Sequence, residues 1–253
     1  MMFDKATITA ISRLLREPSG DNYLALVGVS AGYGFNPDSM AVSQLARMVD
    51  DGEYQQALSG FYRMVPAWLT SPRVHSLAGR AFEMMKDEET AQRQYMLANA
   101  LVTGILGTGD GTESSPYQVT RISDEYDVIG YELSRDFGRA RPVERTSLER
   151  ELRHRGGELW LDIHRLSDGT TVCFDISRAM ALQTRNSPIR TGDGREASPF
   201  RLAITHEEGE VVRYLLKPPA RERRQVEKDG RKYDVVTFVD ESVLWFDVTT
   251  CPV

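Results

Sequence analysis

The amino-acid sequence predicts an α+β protein: an N-terminal helical repeat domain over residues 1–106, then two tandem copies of a small β-α-β-β module over 107–180 and 190–253. Three observations predict it. Apolar residues recur at helical spacing through the first 106 residues. A 34-residue period runs through the later helices. A near-identical decapeptide appears twice, as TGDGTESSPY (Thr108–Tyr117) and TGDGREASPF (Thr191–Phe200).

The first helix is read from DKATITAISRLLRE, where Ile8, Ile11, Leu14 and Leu15 share a face and Pro18, Ser19 and Gly20 end it. DNYLALVGVSAG is a second helix, closed by the turn-rich YGFNPDS. After Pro37, Asp38 or Ser39 offers capping chemistry for a third. Ala41, Leu45, Met48, Ala57, Phe61 and Met64 then recur 34 residues later as His75, Gly79, Phe82, Ala91, Tyr95 and Ala98. That is the period of the tetratricopeptide repeat. The second copy resembles such a unit, with Gly79 where two helices must approach closely and Leu45 in its place in the first. Two repeats bury little surface alone, so the stack needs the N-terminal helices or the second half of the chain.

Aligned without gaps, Thr108–Leu133 and Thr191–Leu216 agree at roughly 11 of 26 positions, including Glu125/Glu208, Val128/Val211 and Tyr131/Tyr214. Leu161–Ser177 then aligns with Tyr233–Thr249, pairing Asp162, Asp168, Phe174 and Asp175 with Asp234, Asp240, Phe246 and Asp247. The offset changes by eleven residues between the two stretches, which places the difference in a surface loop. Each copy reads as a proline-led strand, a helix, a basic loop and a hairpin, the first hairpin turning at Asp168-Gly169. Thr205 and Glu208 stand in capping-box spacing.

In order along the chain, NYLAL with FNPDS, PAWLTSPRVHSLAGRAF, ILGTGDGTESSPYQVTRISDEYDVI and VCFDIS resemble an uncharacterised bacterial family. Its members join short tetratricopeptide-like helices to an α/β domain of unknown function. The resemblance covers residues 1–180 and implies an architecture, with no activity and no catalytic residues to carry over. Residues 191–253 lack the SDEYD wording.

Chemistry-bearing motifs are sparse. The four histidines, His75, His154, His164 and His206, show no zinc-ligand spacing. His75 reads as a packed core residue and His154 as exposed. Cys173 reads as a small core residue and Cys251 as exposed; two such distant cysteines suggest neither a disulfide framework nor a metal cage. No nucleophile elbow, Walker loop or dinucleotide fingerprint appears, so no cofactor is expected. The decapeptide's Asp110 and Glu113, and Asp193 and Glu196 in the second copy, are read as turn residues, with a metal as the alternative. Asp175 and Asp247 are read as turn or helix caps ahead of a pair of catalytic carboxylates.

The formal net charge of −6 hides a concentration of positive charge, about +3 over Ser134–Arg155 and +4 over Lys217–Lys232. Arg139, Arg141, Arg145, Arg150, Arg221, Arg223 and Arg224 are therefore candidate contacts for an acidic protein partner. Interleaved glutamates and the absence of aromatics count against nucleic acid. With no apolar run of membrane length and no secretion signal, neither a membrane partner nor export is expected, and a cytoplasmic location is the default. The function these features suggest is a non-enzymatic interaction module, either an adaptor or scaffold or a partner-neutralising protein, acting through the helical groove, the arginine-rich loops or both. An enzyme with an acidic site between the modules is the alternative.

Overall fold

A computed structural model describes residues 3–31, 39–133, 139–156, 159–185, 192–202, 207–214 and 219–251. The sequence features at Pro37, Asp38, Thr191, Thr205 and His206 lie outside them. The chain is a mixed α+β protein that divides into two compact units, Met1–Gln183 and Thr184–Val253. Among the described residues, no helix is long and apolar enough to cross a membrane.

The first unit opens with α1 (Lys5–Arg16), α2 (Gly20–Ser30), α3 (Ser39–Asp50), α4 (Tyr54–Trp68), α5 (Pro72–Met84) and α6 (Glu88–Leu106). Local chemistry sets their starts. Asp4 accepts the Thr7 N–H at 2.8 Å, Ser19 accepts from Asn22, and Asp87 accepts from Thr90. Pro72 occupies the first turn of α5, where its missing N–H costs nothing.

α3, α4, α5 and the first half of α6 enclose one apolar cluster around Val49, Phe61, Trp68, Val74 and Phe82. Two close approaches are made possible by glycine. A Cβ on Gly79 would lie 2.7 Å from the Tyr95 ring, and one on Gly20 would lie 2.4 Å from the Gly107 carbonyl oxygen. His75 is buried among these helices, bonded through Nδ1 to Gln94 at 2.8 Å and through Nε2 to the Leu69 carbonyl at 2.9 Å.

The second half of α6, buried continuously from Ala100 to Leu106, belongs to a different cluster. It packs with α1, α2 and the β part of the unit: β1 (Tyr117–Gln118), α7 (Ile122–Ile129), β2 (Tyr131–Leu133), β3 (Ala140–Pro142), β4 (Ser147–His154), β5 (Trp160–Leu166), β6 (Thr171–Asp175) and α8 (Ser177–Arg185). Leu14, Tyr23, Leu101, Ile105, Val128, Leu166 and Phe174 share that core. The helices up to residue 106 and the first sheet are thus one folded body with a common interior.

The first sheet has the order β1-β6-β5-β4; β1 runs parallel to β6 and the other pairs are antiparallel. The second unit holds β7 (Phe200–Arg201), α9 (Glu207–Tyr214), β8 (Ala220–Lys228), β9 (Arg231–Phe238) and β10 (Val243–Asp247). Its sheet has the order β7-β10-β9-β8, with Phe200, Val236, Phe238 and Phe246 in its core. Cys251 is half-buried against that core rather than exposed.

The two basic segments, expected as loops, are largely strands. β4 and β8 are eight and nine residues long, each paired on one side only. Their sequences, SLERELRH and ARERRQVEK, alternate charges and not apolar residues, because nearly every position faces solvent.

Two predictions follow from packing. Gly20→Ala brings a methyl against backbone and should destabilise the first unit by about 1–3 kcal/mol. Gly60→Ala, where nothing lies within 4 Å in the middle of α4, should stabilise it by roughly 0.5–1 kcal/mol. Opposite signs in paired urea melts check both. Burial holds the His75 imidazole below its ordinary range, against the raising effect of Gln94 and the Leu69 carbonyl. The unfolded state therefore binds the extra proton first, so His75 lowers stability as pH falls below about 6.5. The stability advantage of the wild-type chain over His75→Gln should shrink between pH 8 and pH 5.

Candidate functional site

Two places in the first unit combine accessibility or buried chemistry with named side chains. The first is a groove of about 520 Å³ between α1 and α2, lined by Lys5, Ala6, Thr9, Ala10 and Arg13 from one helix and Asn22, Ala25 and Val29 from the other. The helical periodicity aligns Ala6, Ala10 and Arg13 along one face and Asn22, Ala25 and Val29 along its neighbour. Alanines on both walls keep the trough open. Val29 is exposed at its edge. Lys5 and Arg13 form no ion pair among the described residues.

The second lies on the face of the first sheet covered by α7. Register places Arg150, His164 and Val172 side by side, and Leu152, Asp162 and Phe174 in the next row. Glu125 descends onto them from α7. Glu125, Asp162 and His164 are all fully buried. His164 Nε2 stands 3.0 Å from Glu125 Oε2 and 3.6 Å from Asp162 Oδ1, while Nδ1 is 2.8 Å from Ser147 Oγ. Arg150 donates Nε–H to both Asp162 oxygens, at 2.9 and 2.7 Å, and its Nη2 also binds Oδ2. Tyr126, half exposed, stands edge-on over the His164 ring at 5.5 Å. Burial, then the negative charge of Asp162, pushes the Glu125 carboxyl up to about 9. Burial lowers His164 below its ordinary value. At neutral pH the imidazole is therefore neutral and Glu125 carries a proton.

The other face of α7 meets the helices. Arg121, just before it, is buried, with its guanidinium 4.5 Å over the Trp68 ring. Nη1 donates to Thr70 Oγ1 at 3.1 Å, and Nη2 donates to the Ala67 carbonyl. Asp124 accepts the Arg121 N–H at 3.1 Å and the Thr120 hydroxyl at 3.1 Å. Burial nevertheless raises the Asp124 carboxyl to about 6, and raises the neighbouring Asp127 to about 7.

The sequence-derived candidates are dispersed. Among the arginines, Arg141 pairs with Glu132, Arg150 with Asp162, Arg221 with Glu241 and Arg223 with Glu208. Arg145 caps the end of α7, donating to the carbonyls of Ile129 (3.1 Å) and Tyr131. Arg139 and Arg224 form no ion pair among the described residues. Four of the seven are thus neutralised within the chain. The two groups also belong to different compact units.

In the decapeptides, Asp110 Oδ1 accepts the Thr112 N–H and hydroxyl, and Asp193 Oδ1 accepts the Arg195 N–H. These bonds hold the Asp110 carboxyl below its usual value. Glu113 binds Arg153 and Arg155; Glu196 binds Lys228 at 2.6 Å. Gly111, Gly192 and Gly194 take positive φ in the same turns. Asp175 accepts the Ser177 N–H at 2.9 Å, and Asp247 accepts the Thr249 N–H at 3.0 Å, so both act as caps.

Neither the groove nor Glu125, Asp162, His164 and Ser147 figured among the sequence-derived sites. One signal for the cluster was present: Asp162 and His164 alternate, so a single strand face carries both.

No family model, curated protein or solved structure matches the chain.

Arg223 and Arg224 are adjacent on β8 but differ in what they touch. Arg223→Ala leaves Glu208, 4 % exposed in its side chain, without its cation and should cost about 1–2 kcal/mol after allowing for the exposure of the arginine. Arg224→Ala should stay within about 0.5 kcal/mol. Chemical denaturation of the two variants separates these outcomes.

Proposed function

We propose that the chain is a non-enzymatic protein-interaction module, and that the groove between α1 and α2 receives an amphipathic acidic helix of a protein partner. The observation that carries this reading is the combination of a small-residue floor with a cationic rim. A helix packs 8–10 Å from its neighbours when the contact residues are small, and Ala6, Ala10 and Ala25 leave that space in the trough. An occupant with apolar residues at i, i+3, i+4 and i+7 would fill it. Lys5 and Arg13, in no ion pair among the described residues, would meet carboxylates on such a helix. The arginine-rich strands support a partner surface less well, since most of their guanidinium groups are already held by acids of the same unit.

The architecture proposed with this function is a short tetratricopeptide-like stack joined to a duplicated module, β-α-β-β-β once the basic strand is counted. Several contacts support the duplication. The two sheets have the same strand order. Tyr117 pairs with Phe174 as Phe200 pairs with Phe246. The Cys173 N–H donates to the Gly111 carbonyl at 2.8 Å, as the Trp245 N–H donates to that of Gly194 at 2.9 Å. Each of these correspondences follows the two offsets of the sequence alignment. For the helical repeat the support is the 34-residue spacing and the approach of Gly79 to Tyr95.

The test uses a synthetic helical peptide with leucines at the four spaced positions and glutamates elsewhere. It should bind the full chain in fluorescence anisotropy, and the affinity should fall as salt rises. Lys5→Glu with Arg13→Glu should weaken binding at least tenfold. Ala25→Trp, at an exposed position of the groove, should abolish it while leaving the circular dichroism unchanged. No binding by the wild-type chain, or equal binding by a peptide with lysines in place of the glutamates, would overturn the reading.

A further inference from the structure

We propose that Glu125, Asp162 and His164 form a binding site for a divalent d-block cation such as Zn²⁺, a set of residues that the matching described positions of the second unit do not repeat. One donor atom from each residue lies within 4.8 Å of the others, and all three residues are buried. The separations of 3.0 and 3.6 Å from His164 Nε2 to the two carboxylate oxygens bracket the edge of a zinc tetrahedron, about 3.3–3.4 Å for bonds of about 2.0–2.1 Å. One imidazole nitrogen with two carboxylates is a borderline-soft donor set suited to zinc.

The surrounding bonds orient these donors. Ser147 Oγ lies 3.3 Å from the Glu149 carbonyl and donates its hydroxyl proton there, so it accepts Nδ1–H from His164. That fixes the tautomer and leaves Nε2 as a bare lone pair aimed at Glu125 and Asp162. Such an outer-shell partner on the second ring nitrogen is the usual companion of a ligating histidine. Arg150 holds Asp162 in the same way, through its Nε and Nη2. A second observation points to a ligand: Glu125 Oε1 is buried and no hydrogen-bond donor among the described residues reaches it. An ion held by the Glu125 carboxylate, Asp162 and Nε2 would be a common partner for all three residues.

The second unit supplies an internal contrast. Its matching positions are Glu208, Asp234 and Arg223, but Val236 stands opposite Arg223 where His164 stands opposite Arg150, and Ala220 begins β8 where Ser147 begins β4. There Arg223 turns to the helix glutamate, 2.5 Å from Glu208, and Gln225 donates to Asp234 at 3.1 Å. In the first unit the arginine instead binds the strand aspartate, and His164 Nε2 stands 3.0 Å from Glu125. Histidine and serine occur together, in the unit where the arginine binds the aspartate and not the glutamate.

The test is calorimetric titration of the chelator-treated full chain with ZnCl₂, repeated with Co²⁺ to read coordination from its visible d–d absorption. One equivalent should bind, and the cobalt complex should show tetrahedral bands. His164→Gln should lower the affinity at least 100-fold while Val236→Leu leaves it unchanged. Should His164→Gln fail to fold, Ser147→Ala, at a half-buried position, should cost about 10–100-fold in affinity. Absence of saturable binding by the wild-type chain, retention of binding by a folded His164→Gln, or unchanged affinity in Ser147→Ala would each overturn the site.

Discussion

The buried guanidinium of Arg121 is the constraint around which the first unit is arranged. It lies over the Trp68 ring and donates to Thr70 and to the Ala67 carbonyl, so it ties the end of α4 and the following turn to the start of α7. A buried cation is costly unless it is hydrogen-bonded and a counter-charge is near. Asp124 provides that charge and also takes the Arg121 N–H, closing the first turn of α7. The helix is thereby anchored by its N-terminus to the helical layer, and its far side is delivered to the sheet. Trp68 and Leu69 mark the contact between the two apolar clusters of the unit, which explains why the helices and the first sheet do not behave as separate bodies.

With α7 fixed, its short sequence distributes chemistry to opposite faces. Successive residues on a helix are about 100° apart, so Asp124 points to the helices, Glu125 to the strands and Tyr126 to the surface. One turn of chain thus carries acids into two interiors. The carboxyls of Asp124, Glu125 and Asp127 are all raised, chiefly by burial. Such acids need an arginine, a proton or a metal ion for balance. Arg121 supplies the balance on one side. On the other, Arg150 is committed to Asp162, which is what leaves Glu125 facing an uncharged imidazole.

Much of the element structure was legible. Pro18, Ser19 and Gly20 mark the break between α1 and α2 because a capping serine and a small residue are what that corner needs. Asp168-Gly169 turns between β5 and β6, with Gly169 at φ 82°. The basic strands were not legible, for a physical reason. An exposed edge strand has no buried face, so nothing imposes an apolar alternation, and charges along it also discourage pairing with other chains. Leu148 and Leu152 on β4 are exposed and give the wrong cue even where they occur. The arginines therefore read as a free basic surface, when their acids stand opposite them from elements as distant as Glu132, Asp162 and Glu208.

The buried cluster escaped the sequence for a related reason. Its members come from α7, β4 and β5, and only the pleat brings Arg150 beside His164 and one row from Asp162. Metal-ligand motifs are recognisable in sequence when one helix or one tight turn holds two ligands. Here the pair on one strand, Asp162-x-His164, is too short a pattern to stand out from ordinary alternation. What distinguishes it is the helix that lands on it. Glu125 and Glu208 are matched in the sequence alignment, but the paired strand offers a histidine opposite Arg150 in one case and a valine opposite Arg223 in the other. Under the proposed duplication, the shared glutamate, aspartate and arginine are the frame of the module. The histidine and serine are then the departure from it, and a departure that buries a polar ring where its counterpart buries an alkyl group needs more than packing to account for it.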